Sequence, residues 1–122
     1  MKEIILDTNF LLIPGQFKVD IFSEIDRVCP FSYDLYVLDK SINELERIMG
    51  KDKPAAKLAL SLIKAKKLKI LKTSEKKSVD DLILGMNEVI VATLDKELIR
   101  RLKEKGTKII RLRQKKYLVV DW

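Results

Sequence analysis

The chain has 122 residues, with 25 lysines and arginines against 18 aspartates and glutamates, a net charge of +7, one cysteine and no histidine. That length suits one domain, 1–122, and 47% hydrophobic with 35% charged residues gives enough apolar mass to offset chain entropy, and too much charge for a membrane protein. The absence of histidine excludes Ser-His-Asp and Cys-His nucleophilic systems and imidazole metal sites, and the lone Cys29 forbids an internal disulfide.

Short apolar runs alternate with longer amphipathic ones, the sequence form of a βα repeat around a mostly parallel sheet. Residues 4–6 are the first predicted strand. Three apolar residues before Asp7 fall far short of a secretion signal and no run approaches a membrane span, so a cytoplasmic location is expected. Phe17, Ile21, Phe22, Ile25 and Val28 predict a helix over 17–27. A strand at 35–38 leads into a helix over 40–49 that Gly50 is expected to stop. Pro54 opens the next helix, whose apolar side runs through 67, and residues 68–71 are the third strand. Ser78 caps a short helix over 79–86, the run 88–94 holds the strongest buried strand, and a helix over 96–105 ended by Gly106 precedes the last parallel strand at 108–112. The tail 117–120 is apolar, with no partner legible in the sequence.

In open parallel sheets ligands bind beyond the carboxyl ends of the strands, where strand order reverses. Asp7 directly follows the first predicted strand and Asp95 the fourth; if those strands are neighbours, the two carboxylates meet at one end of the sheet. Glu44, after the second strand, and Asp80, in the first turn of the helix before the fourth, can reach the same edge. Each acid also has a purely structural reading. Asp7 can cap a turn through Leu12, Asp95 can cap the helix starting at Lys96, and Glu44 can complete a capping box with Ser41. Ser78 and Asp81 form a similar pair, which leaves Asp80 with no structural duty beyond favouring the helix dipole. Carboxylates gathered in one pocket repel, by on the order of 4 kcal/mol for a pair about 4 Å apart at an effective dielectric of 20, and so call for a cation. Oxygen donors without imidazole or thiolate suit a hard ion, Mg²⁺ or Mn²⁺.

The opening Ile4-Ile5-Leu6-Asp7-Thr8-Asn9-Phe10, the Ser41-Ile42-Asn43-Glu44-Leu45 stretch, the Asp80-Asp81-Leu82-Ile83-Leu84 run and Val91-Ala92-Thr93-Leu94-Asp95-Lys96 together resemble, in order and over essentially the whole chain, the successive motifs of the PIN domain family. The ending, residues 109–118, resembles a small archaeal branch related to the PIN nucleases of ribosomal RNA processing, and VapC toxins carry the same core motifs. The resemblance implies an α/β fold, a three-layer α/β/α sandwich with a parallel five-stranded sheet ordered 3-2-1-4-5, in which strands one and four are adjacent. It also implies that Asp7, Glu44, Asp80 and Asp95 are the metal-binding and catalytic acids, with Asn9 and Thr93 as supporting polar groups on the substrate side. From Asp80 to Thr93 is 13 residues, about one helical turn short of the family spacing, which makes Asp81 the alternative to Asp80.

Resemblance and carboxylate chemistry together predict Mg²⁺- or Mn²⁺-dependent hydrolysis of RNA phosphodiester bonds, in a toxin–antitoxin or RNA-processing role. Single-stranded RNA, an antitoxin protein and a second copy of the chain are the expected partners. Residues 1–49 carry a net charge of −4 and residues 50–122 a net charge of +11, so phosphate binding is expected in the second half, above all at Arg111 and Arg113, which alternate on a strand near the sheet end. A solvated lysine-rich surface accounts for the same charge equally well. The alternative function is a catalytically inactive RNA-binding or assembly module on the same fold. A haloacid-dehalogenase-type phosphatase needs a second aspartate where this chain has Asn9, and a receiver domain needs an acceptor aspartate where it has Lys72.

Overall fold

The computed structural model describes residues 1–48, 53–73 and 76–122. β1 (Lys2–Leu6) runs into two short helices, α1 (Thr8–Leu11) and α2 (Ile13–Phe17), followed by α3 (Ile21–Val28) and β2 (Tyr33–Leu38). α4 (Asp39–Ile48) continues from β2 without a loop, and α5 (Lys53–Ala65) leads to β3 (Lys69–Leu71). α6 (Val79–Leu84), β4 (Ile90–Ala92), α7 (Lys96–Lys105), β5 (Lys108–Arg113) and β6 (Tyr117–Asp121) follow.

The sheet is ordered β3-β2-β1-β4-β5-β6. Its first five strands pair in parallel, in the order 3-2-1-4-5 that the sequence led us to expect. The pleat sends alternate residues to opposite faces. Ile4, Leu6, Val37, Ile90, Ala92 and Ile110 face a core shared with α1 to α5, and Ile5, Leu38, Val91 and Ile109 face a second core shared with α6 and α7. Helices on both faces complete the three layers.

Three expectations are corrected. The sheet is not wholly parallel: β6 pairs antiparallel with β5, Leu112 opposite Leu118. The chain reverses through Gln114 and Lys115, both with left-handed φ of 54° and 55°, and Lys116 N–H donates to Arg113 O at 3.1 Å. Second, no single helix spans 17–27. Lys18 is left-handed and ends α2, and Asp20 caps α3 by accepting from the N–H groups of Phe22 and Ser23 at 3.1 and 3.2 Å. An aspartate side chain that satisfies the first free N–H groups favours a new helix start over continuation of the old helix. Third, α6 stops at Leu84, with Gly85 as its C-cap. The stop expected at Gly50 lies outside the described residues.

At Leu118 the outer edge of β6 is covered by α3. Leu118 N–H donates to Glu24 Oε1 at 2.9 Å, and Arg27 donates to Leu118 O at 2.8 Å. Arg27 also bonds Glu24 at 2.9 Å, so one ion pair takes up both polar groups of an edge residue.

On the opposite flank α2 lies against α5, which in turn backs α4. The approach is close because of Gly15: a Cβ there would stand 2.5 Å from Ala55 Cα and 2.8 Å from its Cβ. Gly15→Ala should therefore force the two helices apart at a cost of about 1–3 kcal/mol, read as a lower urea midpoint with an unchanged slope. A midpoint equal to the wild type would contradict this packing.

Candidate active site

Asp7 occupies the residue after β1, and its N–H donates to Ala92 O at 2.9 Å, which ties the end of β1 to the end of β4. Asp7 is 4% exposed, and its carboxylate is held from two sides. Thr8 N–H donates to Oδ1 at 2.8 Å, and the Thr93 hydroxyl donates to Oδ2 at 2.7 Å. Thr93 Oγ1 in turn accepts from Asp95 N–H at 3.1 Å, so a single hydroxyl fixes one acid and the backbone of the other. Asn9 braces the same turn, accepting from Leu94 N–H through Oδ1 at 3.3 Å.

Glu44 arrives from α4. The Thr8 hydroxyl stands 2.5 Å from Glu44 Oε1 and 2.9 Å from Ser41 Oγ. Its one proton goes to the carboxylate, which can only accept, leaving Ser41 to donate to Thr8. The expected capping box of Ser41 with Glu44 does not form, because α4 already begins at Asp39 and Ser41 lies fully buried inside it. Both residues turn inward to Thr8, at the start of α1, instead. Asp95 does cap α7, and one oxygen carries the whole cap: Oδ1 accepts from the N–H groups of Glu97 and Leu98 at 2.9 and 3.1 Å.

Asp7, Glu44, Asp80 and Asp95 line one hollow of about 340 Å³ at the carboxyl end of the sheet, together with Thr8 and Asn9. Asp81 does not line it; this carboxylate turns toward Arg101, 4.0 Å away. Thr93 is fully buried behind the acids, so it orients Asp7 and presents nothing to a substrate. Arg111 and Arg113 are not brought to the hollow. Arg111 Nε donates to Asp121 at 2.7 Å across the β5–β6 pair, and Arg113 is exposed at the start of the hairpin turn. In the sequence Ser41 has only the part of a cap and Thr8 no part of its own, although Ser41 precedes Glu44 by three residues and so shares its side of a helix.

Burial pushes the Asp7 carboxyl up to about 6, against the lowering effect of its bonds from Thr93 and Thr8, and the charges of Asp80 and Glu44 add to the rise. Asp80 is likewise raised, first by burial and then by Asp95, Glu44 and Asp81, with Arg101 opposing. Mutual repulsion of this kind is what a cation relieves, and an all-oxygen donor set fits a hard divalent ion. Among the described residues, however, no three acids are gathered tightly enough to form a finished coordination shell.

A family profile described as a PIN like domain matches residues 4–115. The chain is 37% identical to Ribonuclease VapC4 of Methanocaldococcus jannaschii, over 98% of this chain and 97% of that protein. A solved structure titled as the PIN domain endonuclease Utp24 superposes with a TM-score of 0.82 at 25% identity, covering 98% of this chain and 90% of the other. A domain of a functionally unknown protein from Methanocaldococcus jannaschii matches at a TM-score of 0.54 and 15% identity, over 93% of this chain and 92% of that one, a likeness of fold alone.

Folding carries the Asp7 carboxyl from 3.8 to about 6, so the native state holds its proton more tightly than the unfolded chain. The contribution of Asp7 is then most favourable below about pH 4 and is lost as pH rises through about 6, by on the order of 3 kcal/mol for two units. In EDTA, the stability of the wild type minus that of Asp7→Asn should fall by that amount between about pH 4 and 7, as followed by urea unfolding. A difference independent of pH would refute the raised value.

Proposed function

Since the chain belongs to the PIN-like domain family, we propose that it is an endoribonuclease dependent on Mg²⁺ or Mn²⁺, acting on single-stranded RNA in a toxin–antitoxin or RNA-processing role. The observation that carries this reading is the meeting of Asp7, Glu44, Asp80 and Asp95, drawn from four separate stretches of chain, around one hollow. A relative named as a ribonuclease and a solved endonuclease of the same fold support the RNA-cleaving part.

Asp7 and Asp95 are the residues to anchor an ion, with Glu44 and Asp80 completing its shell or admitting a second. The chemistry such an ion supplies is neutralisation of charge on the phosphoryl oxygen and a lower pKa for the attacking water. The chain contributes orientation. Asp95 gives Oδ1 to the helix cap and so keeps Oδ2 for a cation. Glu44 is steered through Oε1 by the Thr8 hydroxyl, with Oε2 left for binding. Each Asp7 oxygen accepts one bond from the protein and retains a lone pair. The reaction is displacement at phosphorus by water, in which one P–O bond forms and one bridging P–O bond breaks. No side-chain nucleophile takes part.

A second reading, an RNA-binding or assembly module on the same fold, draws on the early end of α6 at Leu84, close to Asp80. An antitoxin protein covering the acids and a pairing of two copies are the associations that a toxin role implies.

Asp95→Asn separates fold from chemistry, because asparagine caps a helix about as well as aspartate but brings no charge to a cation. Its melting temperature should stay within a few degrees of the wild type, while Mn²⁺-dependent cleavage of a single-stranded RNA drops by at least about a hundredfold, as should that of Asp7→Asn. Full activity in either variant ends the assignment. Binding of RNA by the wild type without cleavage in Mg²⁺ or Mn²⁺ favours the module.

A further inference from the structure

We propose that the hollow between Lys40, Arg47 and Lys77 holds a backbone phosphate of the RNA next to the acid site; this inference rests on the ribonuclease reading above. Lys40, Asn43, Glu44 and Arg47 recur at helical spacing and form one stripe along α4. They line a second hollow of about 300 Å³, whose far wall is Lys77, Ser78 and Val79. Glu44, Ser78 and Val79 border both this hollow and the acid one, so the two are contiguous. Lys40 Nζ donates to Lys77 O at 2.7 Å, which draws the segment before α6 onto α4 and brings both positive charges to one rim.

Three arginines elsewhere on the surface are already countered by carboxylates. Arg27 bonds Glu24, Arg100 bonds Glu97 and Glu104, and Arg111 bonds Asp121. Arg47 makes no ion pair among the described residues, and its planar guanidinium can offer two N–H groups to two phosphate oxygens. A hollow on the other side of the site, about 250 Å³ and lined by Lys96 and Arg111, is the weaker candidate because Asp121 already counters its arginine. An extended strand with its scissile phosphate over Asp7 and Asp95 therefore has a cationic seat for a nearby phosphate across Glu44.

The test compares Arg47→Gln/Lys77→Gln with Lys2→Gln/Lys108→Gln, a control that removes the same charge at the opposite end of the sheet, where Lys2 begins β1 and Lys108 begins β5. For Mn²⁺-dependent cleavage of a labelled single-stranded RNA, the first variant should raise KM at least about fivefold with kcat within about twofold, and should flatten the salt dependence of binding by about one in logarithmic slope. The control should stay near the wild type in both. Equal behaviour of the two variants, with the wild type active, overturns this inference and leaves the ribonuclease reading standing. If the wild type binds this RNA without cutting it, fluorescence anisotropy reads the seat directly: selective loss of binding in the first variant upholds it while the nuclease reading falls. A wild type that neither binds nor cuts removes both.

Discussion

Parallel pairing of β1 with β4, Leu6 opposite Ala92, is the constraint on which the acid hollow depends. Asp7 and Asp95 lie 88 residues apart in the chain and share a rim only because these two strands are neighbours. The pairing extends one residue past the strands, through Asp7 N–H on Ala92 O and the Thr93 hydroxyl on Asp7. Were β4 to slip by one residue, the period-two pleat would turn Thr93 to the opposite face, and the buried carboxylate of Asp7 would lose a donor it needs. The sheet register and the site are thus fixed by the same few bonds.

Much of this was legible because buried parallel strands write themselves as short apolar runs, and because a ligand in such a sheet must lie past the strand ends. Asp7 and Asp95 follow from that rule, and the hollow takes in Glu44 and Asp80 as well. What escaped has physical causes. The apolar spacing from Phe17 to Val28 mimics one helix, but a left-handed Lys18 and the capping Asp20 divide it. The β5–β6 reversal uses Gln114 and Lys115 at positions where asparagine and glycine are the usual signal, so the tail looked partnerless. Arg111 carried the right charge near the right edge, yet Asp121, on a strand that was not anticipated, claims it. Thr8 and Ser41 act through hydrogen bonds across 33 residues, which no local spacing encodes.

The capping and functional readings of the acids are compatible because a carboxylate has two oxygens. In Asp95 one oxygen serves the helix and the other remains; in Glu44 the Thr8 hydroxyl takes one and leaves one. A carboxylate oriented in this way loses little side-chain freedom when it binds an ion, which lowers the entropic cost of assembling the shell. The raised values at Asp7 and Asp80 express the opposing cost, first of burying these carboxylates and then of bringing their charges together.

The Glu24–Arg27 clamp on Leu118 bears on how the molecule behaves in a crowded solution. An outermost strand with unspent amide and carbonyl groups is a template onto which another chain can zip. Here those groups at Leu118 are already occupied by a charged pair whose arginine remains half open to water. Strand-by-strand growth from this side would first have to strip that pair away, so the protein carries its own guard against fibrous self-assembly, set at the far border of the sheet from β3.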